Sequence, residues 1–507
     1  MNMAFRGFSV DYASEELIKE VPILRKKGGQ DLYTAILIMK IFELSHPELQ
    51  SELGDCYYQG DGVAANIEKA LDMFQKAAGK GSIRAQYDLG WYYYDRGEYF
   101  RSIENFTFCI TNQKELDDHK LSRCYSCLGD AYSKISEPKI SVAIENLAIA
   151  ADKYHDAFAC RRLGLIYGEP GTHYFDSEKA INYFKLGVSY GDEISAHELG
   201  TSYIIGDSDL NILPNGRIAE NILLQFENTG DSDILTDLGL LYQRGDVHNG
   251  VSKDYQKSKS YYERAWEKHT SPFLAANLGY TYYCLSEYIN AEKMFLIADQ
   301  AGYCVNSDFL GRMYKDGLVG PKDLKKAAFY YGRAYEKGDL NNVFTYVEFS
   351  EILEEIGEYQ RAYDVADKGE DKFKDVCFLF IKAKLVLNGK VNNRISLERA
   401  VEMLEVCIKY DAHRKEAHFE LGKYYHSARE FRKAEKQYSD AFSMGVADAA
   451  AELGKLYELG GGTINADINK AVYWYEKAAN AGSTIGIAEL ECFKKGLFGG
   501  YRRVRSL

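Results

Sequence analysis

The sequence predicts an all-α protein, a right-handed α-solenoid of about twelve helix–turn–helix repeats of about 36 residues each. The main observation is a motif, Leu-Gly-x-x-Tyr, that recurs along the 507 residues. The second position of the motif is glycine in ten copies and, with three degenerate copies included, runs from 54 to 491. A fixed spacing of roughly 20 to 50 residues is typical of a solenoid. The copies begin at Leu53, Leu89, Leu128, Leu163, Leu199, Leu238, Leu278, Leu310, Phe349, Lys382, Leu421, Leu453 and Leu490.

The motif predicts the first helix of each repeat, helix A. Ala85, Leu89 and Tyr93 are four residues apart, so they share one face of a helix. The anchor glycine, Gly90 in this copy, lies on that same face. We expect it there because only a very small side chain lets a neighbouring helix approach closely.

A second helix, helix B, follows with its own apolar stripe. In residues 66–81, Ala70, Phe74 and Ala77 form one face, and Gly81 is placed to end the helix. Asn66 stands where an N-cap residue is expected. The equivalent N-cap positions in other repeats are Asp176, Asp323 and Asp467.

Gly60-Asp61-Gly62, between the two helices, resembles a phosphate-binding loop because two glycines precede a helix. A nucleotide site would need one such loop after a strand. Here similar loops recur between predicted helices at 244–250, 316–320 and 459–462. The sequence therefore predicts a turn between helices A and B.

These residues together resemble the Sel1-like repeat, a relative of the tetratricopeptide repeat with a longer A–B loop. Residues 49–81 match its pattern almost position for position, and residues 449–482 match nearly as well. The resemblance extends over residues 47–495 and implies a mixed array that serves as an adaptor or scaffold, with an inner surface of A helices that binds protein segments. Repeats with the short turn of tetratricopeptides lie at 89–106, 278–295 and 421–438.

We divide the chain into a helical N-terminal cap (1–46), the repeat solenoid (47–495) and a short basic tail (496–507). With 7 prolines and no Ser/Gly-rich linker, no stretch marks a boundary between independent domains. The tail is predicted to cover no apolar surface. The cap residues predicted to cover the first repeat are Ile36, Ile38, Met39, Ile41 and Phe42.

Composition limits the class of partner and the cellular compartment that the sequence predicts. The net charge of −13 disfavours nucleic acid as the main partner. No apolar stretch is long enough for a membrane span, and the N-terminus lacks the pattern of a secretory signal. Ten scattered cysteines favour reduced thiols and a cytoplasmic protein. The sequence does not indicate an oligomeric state.

No motif predicts catalysis, a cofactor or a metal. Cys124 and Cys127 form a C-x-x-C pair, but no second pair follows at zinc-site spacing, so we interpret them as packed thiols. His413 and His418 are separated by about 140° around a helix, which prevents shared ligation of one ion. The sequence predicts that the protein is not an enzyme.

The resemblance implies that binding residues lie just after the anchor glycine, four after it, and two or three before it. Tyr, Trp and Arg are also enriched at binding hot spots. An alternative for Trp91 and Tyr94 is that they seal gaps between repeats. The predicted protein-binding residues are Tyr87, Asp88, Trp91, Tyr94, Arg161, Arg162, His197, Glu198, Asn277, Tyr280, Tyr283, Arg312, Lys384, Lys423, His426 and Lys455.

Lys384, Lys423 and Lys455 occupy equivalent positions and are predicted to stack about 10 Å apart. If Glu420 and Glu452 leave this row free, it would engage an acidic segment. The alternative is a solvated face of mixed charge.

Two functions are compatible with these predictions. The first is a non-enzymatic scaffold that binds a protein or peptide segment in the concave groove of A helices. The second is a peptide-sensing regulatory receptor that releases or captures a partner protein.

Overall fold

The computed structural model describes residues 10–42, 46–113, 116–391, 395–495 and 500–504. These residues form 27 α-helices and one two-stranded antiparallel sheet. The predicted helix–turn–helix solenoid is confirmed, whereas the small sheet departs from the all-α prediction. The chain divides into two compact units, residues 1–270 and 271–507.

In the first unit, a pair of N-terminal helices precedes six A–B pairs, and each A helix packs against the B helix that follows it. The odd-numbered helices from α3 to α13 are the A helices. The helices are α1 Val10–Lys27, α2 Gly29–Phe42, α3 Pro47–Gln59, α4 Ile67–Gly79, α5 Ile83–Asp95, α6 Tyr99–Thr111, α7 Asp118–Lys134, α8 Ile140–Tyr154, α9 Ala157–Gly168, α10 Ser177–Ser189, α11 Glu193–Ile205, α12 Gly216–Leu223, α13 Ser232–Arg244 and α14 Tyr255–Lys268.

The second unit continues the alternation and ends in a β-hairpin. Its helices and strands are α15 Pro272–Cys284, α16 Tyr288–Gln300, α17 Ser307–Asp316, α18 Leu324–Lys337, α19 Val343–Glu355, α20 Tyr359–Phe373, α21 Cys377–Leu387, α22 Leu397–Lys409, α23 Arg414–Ser427, α24 Phe431–Ser443, α25 Ala447–Leu459, α26 Ile468–Asn480, α27 Thr484–Leu490, β1 Phe493–Lys495 and β2 Tyr501–Arg503.

The anchor glycines lie where helices A and B cross most closely. A Cβ atom on Gly90 would lie 2.7 Å from the ring of Phe106, and one on Gly239 would lie 2.5 Å from the ring of Tyr262. Both rings are fully buried. The prediction that these positions need a very small side chain is therefore confirmed. The same approach to a large side chain of helix B occurs at Gly54, Gly129, Gly164, Gly200, Gly279, Gly311, Gly422 and Gly454.

The A–B loop is a turn, as predicted. Gly60 and Gly62 have φ values of 82° and 68°, in the left-handed region that glycine adopts at little cost. Asn66 then caps α4, because its side chain accepts a hydrogen bond from the Lys69 N–H at 2.9 Å. The predicted caps Asp176, Asp323 and Asp467 make the same contact at the start of α10, α18 and α26.

The N-terminal helices bury apolar surface against the first repeat. Ile36, Ile38 and Met39 share a cluster with Leu49 and Leu53 of α3. Ile41 was also predicted in this contact, and that prediction is wrong, since its side chain is 72% exposed. Two residues after the fully buried Met39, it projects about 160° away from it around α2. The side chain of Phe42 lies outside the described residues.

A variant that starts at residue 47 is expected to melt at a lower temperature than the full chain and to aggregate more. Removing α1 and α2 would expose Leu49, Leu53 and Cys56, which are at most 3% exposed. Circular dichroism melting and light scattering measure both effects, with a variant that lacks only residues 1–9 as the control. Equal stability of the three proteins would contradict the proposed capping role.

The C-terminal end differs from the prediction. The last motif copy, which begins at Leu490, leaves the helix there and forms a hairpin in which β1 pairs with β2. No B helix follows α27 within residues 491–495 and 500–504, and Phe493 instead packs against Tyr475 of α26, with ring centroids 5.8 Å apart. Arg503 donates to Glu458 at 2.6 Å and to Glu489 at 2.5 Å. Tyr501 of the tail packs against the apolar cluster that contains Tyr475 and Phe493, so the prediction that the tail covers no apolar surface is wrong for its described residues.

Candidate protein-binding surface

Polar contacts join neighbouring A helices of the first unit side by side, and we call these contacts the A-helix ladder. Between α3 and α5, Arg84 donates to Glu52 and to Asp55, both at 2.7 Å. Ser51 of α3 donates to Asp88 of α5 at 2.8 Å. These charge-assisted bonds fix the distance between the two helices. Burial, and next the neighbouring Asp55 carboxylate, raise the pKa of Asp88 to about 7.

Asp130 of α7 is the central carboxylate of the A-helix ladder and is fully buried. It accepts a hydrogen bond from the Tyr94 hydroxyl of α5, and it forms ion pairs with Arg162 of α9 and with Lys134, the latter at 2.7 Å. Burial and the hydrogen bond to Asp130 raise the pKa of Tyr94. Two predicted binding residues, Tyr94 and Arg162, therefore meet on one carboxylate across three helices.

The A-helix ladder continues to α13. Arg161 lies 3.8 Å from Asp192, and His197 lies 2.7 Å from Asp237, which also accepts from Thr201 at 3.0 Å. The hydrogen bond to Asp237 raises the pKa of His197 to about 9, so this imidazole is a cation at neutral pH. The predicted binding residues in this segment thus contact neighbouring repeats.

Trp91 is half-buried on the A face, by which we mean the surface formed by the A helices of the first unit. Two cavities adjoin its ring. The first, of about 250 Å³, lies between α3 and α5 and includes Asp55, Tyr58 and Asp88. The second, of about 260 Å³, lies among α5, α7 and α9 and includes Phe158.

The aromatic side chains at this point also pack inside the repeat. Trp91 contacts Tyr87, Tyr94 and Phe106, with ring centroids 6.5, 5.8 and 6.2 Å apart. Trp91 and Tyr94 lie against the buried cluster that contains Phe106. The same side chains therefore fill space between helices and present part of their surface on the A face.

Sequence reasoning missed three side chains of this surface. Tyr58 stands four residues after the anchor Gly54, a position that the family pattern marks. Arg123 lies with its guanidinium 4.5 Å from the Trp91 ring centroid, and Phe158 lines the same cavity. Arg123 and Phe158 precede their anchors by six residues, outside the positions that the pattern marks.

Glu198 is exposed and lies apart from Trp91. It lines a cavity of about 180 Å³ with Leu165, Ser202 and Asp207, beside the loop that follows α11.

In the second unit, the predicted aromatic residues gather around Phe309 of α17. Its ring centroid is 5.3 Å from that of Tyr280 and 5.0 Å from that of Tyr283. Arg312 lies 3.4 Å from Glu348 of α19. Asn277 uses its side-chain amide to donate to the Phe273 carbonyl at 3.0 Å.

The predicted row of lysines is not free. Lys384 lies 2.9 Å from Glu354 of α19, Lys423 lies 2.7 Å from Glu420, and Lys455 lies 2.8 Å from Glu452. Each ammonium group therefore has a carboxylate partner, and the condition for attracting an acidic segment is not met. His426 makes an edge contact with Phe431 at 5.8 Å.

The cysteine and histidine pairs are packed. Cys124 and Cys127 are buried free thiols, and burial raises the pKa of Cys127 to about 12. His413 stacks on Phe380, and His418 bonds Gln437. Among the described residues, no three His, Cys, Asp or Glu side chains are grouped as metal ligands. Within the same residues, no helix combines the length and the apolar character needed to cross a bilayer.

Comparison with known proteins finds Sel1 repeats in six segments of the chain. The profile of the Sel1 repeat matches residues 47–82, 83–104, 157–189, 235–268, 309–339 and 447–483. The chain carries Sel1 repeats. The short-turn repeats at 278–295 and 421–438 lie outside the matched segments.

One relative and one solved structure are similar to this chain. A Sel1-like repeat-containing protein of Acanthamoeba polyphaga mimivirus is 33% identical over 120 residues, which are 24% of this chain; the match spans about a fifth (21%) of that relative's length. The crystal structure of a protective antigen of uropathogenic Escherichia coli strains, which displays an SLR fold, aligns with a TM-score of 0.59. The alignment covers 90% of this chain and 89% of the antigen chain. The sequence identity is 20%, so the likeness is one of fold.

Proposed function

We propose that the protein is a non-enzymatic scaffold that binds a protein or peptide segment in a groove on the A face of its first unit. The observation that supports this most is Trp91, a half-buried tryptophan between cavities of about 250 and 260 Å³. Trp, Tyr and Arg are the residues most enriched at binding hot spots. Here Trp91 adjoins Tyr58 of one neighbouring A helix and Arg123 of the other.

The A-helix ladder supports this proposal because it holds the site rigid. Asp88, Arg162 and His197 are each bonded to a neighbouring A helix, so a partner would meet a surface whose spacing is already set. A preorganised surface loses less conformational entropy on binding. We infer that these residues act mainly by positioning, and that Trp91 and its aromatic neighbours make the contacts.

Charge and thiol chemistry support the choice of partner and compartment. A net charge of −13 favours a protein partner over nucleic acid. All ten cysteines are free thiols, which is typical of the reducing cytoplasm. We propose that the protein acts in the cytoplasm. In the second unit, Tyr280 and Tyr283 are half-buried against Phe309, and we infer that their exposed parts add further contacts with the partner.

Trp91→Ala is expected to weaken binding of the protein's partner by roughly thirtyfold, equivalent to about 2 kcal/mol, mainly through faster dissociation. The partner is first isolated by affinity capture with the full chain, and its dissociation constant is then measured by surface plasmon resonance. The control is Phe100→Ala, which removes an aromatic side chain that is 62% exposed on helix B of the same repeat. Equal affinities of wild type, W91A and F100A would show that the partner binds elsewhere.

A further inference from the structure

The proposed function leaves the chemistry of the bound segment open, and the two cavities beside Trp91 differ in chemistry. Building on that proposed function, we propose that the A face of the first unit binds an extended basic segment. In this proposal, a lysine or arginine side chain of the segment enters the cavity between α3 and α5. An apolar side chain of the same segment enters the cavity among α5, α7 and α9.

The first cavity carries carboxylates and aromatic rings. Its wall includes Asp55, Asp88 and Asp95, and none of the described residues that line it is basic. Arg84 pairs with Asp55 and lies 4.0 Å from Asp88. Asp95 is exposed and has no ion pair within the described part of the chain. A cation entering here would gain an unpaired carboxylate, whereas an acidic side chain would be repelled.

The rings of the first cavity favour a cation independently of the carboxylates. Tyr58 and Tyr92 form an edge contact with centroids 6.4 Å apart, and Trp91 adjoins them. Ammonium and guanidinium groups bind aromatic faces through the ring quadrupole, and Trp is the best of these rings. The surface already shows this chemistry twice, since Arg96 lies 4.7 Å from the Tyr92 centroid and Arg123 lies 4.5 Å from that of Trp91.

The second cavity suits an apolar side chain. Trp91, Tyr94, Cys127 and Phe158 provide apolar walls. Its charged groups are already engaged: Arg123 stacks on Trp91, and the Asp156 carboxylate accepts from Ser122 at 2.7 Å. Burying an apolar group against these walls is favourable, and burying a further charge without a partner is costly.

The spacing of the two cavities sets a sequence pattern for the partner. They lie on either side of Trp91, between successive A helices, and neighbouring helix axes are about 8–10 Å apart. A segment in the extended polyproline II conformation rises about 3.1 Å per residue and turns once in three residues, so side chains three residues apart point the same way and lie roughly this distance apart. The expected pattern is therefore a basic residue and an apolar residue separated by two others, in either chain direction.

Fluorescein-labelled peptides of about twelve residues test this proposal with the full chain in anisotropy titrations. The probe peptide carries Arg-x-x-Leu in a Gly/Ser background, and its reversed sequence tests the other chain direction. The first control replaces Arg with Glu, and the second places Arg and Leu side by side. We expect the better-oriented probe to bind at least about tenfold tighter than either control, and more weakly as salt is raised. Tighter binding of the Glu peptide, or equal binding of all of them, would overturn the proposal.

Matched variants of the protein test whether the peptide binds at the first cavity. Asp95→Asn removes the unpaired carboxylate with little change of shape. It is expected to weaken binding of the Arg peptide by about threefold to tenfold. Asp371→Asn, at a side chain that is 80% exposed on α20 of the second unit, is the control and should leave binding unchanged. Equal effects of D95N and D371N would show that the peptide responds only to overall charge.

The outcomes separate this inference from the function on which it rests. If the peptides fail to bind while capture of the natural partner still depends on Trp91, the scaffold function stands and the basic segment is wrong; a folded partner surface would then occupy the face. If neither peptide binding nor partner binding responds to Trp91→Ala, both proposals fail.

Discussion

Gly239→Val is expected to lower the free energy of unfolding of the first unit by about 3 kcal/mol. A Cβ atom alone would lie 2.5 Å from the ring of Tyr262, which is fully buried on α14. The ring cannot move away without opening the contact between α13 and α14. Gly239→Ala is expected to show a smaller loss of about 1–2 kcal/mol. Urea denaturation followed by circular dichroism measures both effects.

Gly79→Ala is the matched control for this prediction. Gly79 is the last residue of α4, and a Cβ atom there would meet nothing within 4 Å. Because alanine is the better helix former by up to about 1 kcal/mol, this variant should be as stable as wild type or slightly more stable. Equal losses in G239A and G79A would contradict the close-packing explanation.

The repeat was predictable from sequence because each of its parts depends on residues near one another in the chain. The anchor glycines, the N-caps and the A–B turns are local features that the same residue types specify many times over. Even the degenerate copies at Phe349 and Lys382 form A helices, α19 and α21, with the small residues Ser350 and Ala383 fully buried at the anchor position. Packing in these two repeats still requires a small anchor side chain.

The candidate binding surface was only partly predictable, because its residues meet across repeats. Tyr94 and Arg162 were predicted as protein-binding residues, and the structure shows that both also contact Asp130, which is 36 and 32 residues away in the chain. Such pairings depend on the rotation between successive A helices, which the motif does not encode. The lysine row shows the same effect, since Lys384 takes its partner Glu354 from the preceding A helix.

The C-terminal hairpin was missed for a related reason. The motif copy at Leu490 is degenerate and has no helix after it in the described chain, and the segment pairs with β2 instead. The local pattern predicted a helix. A repeat helix packs against its neighbours, and no following helix is present in the described chain for this segment to pack against.

Asp130→Ala is expected to lower the free energy of unfolding of the first unit by about 3–5 kcal/mol. The carboxylate is fully buried between α5, α7 and α9, and its loss leaves the Arg162 guanidinium and the Tyr94 hydroxyl without their partner. Urea denaturation again provides the measurement. Glu98→Ala is the control, since it breaks an exposed ion pair with Arg101 and should change stability by at most about 0.5 kcal/mol.

A double-mutant cycle tests whether the loss comes from this pairing. If an unpaired buried charge causes most of it, Arg162→Met should cost less in the Asp130→Ala background than in the wild type, because Arg162 has already lost its partner there. Additive effects would mean that Asp130 stabilises the helices independently of Arg162, through Tyr94, Lys134 or packing. The same variants also test whether Arg162 contacts the bound peptide or only positions the A helices. If D130A weakens peptide binding while R162M in that background restores it, Arg162 acts by setting the spacing of the A helices, since a residue that contacted the partner could not be replaced by methionine without loss.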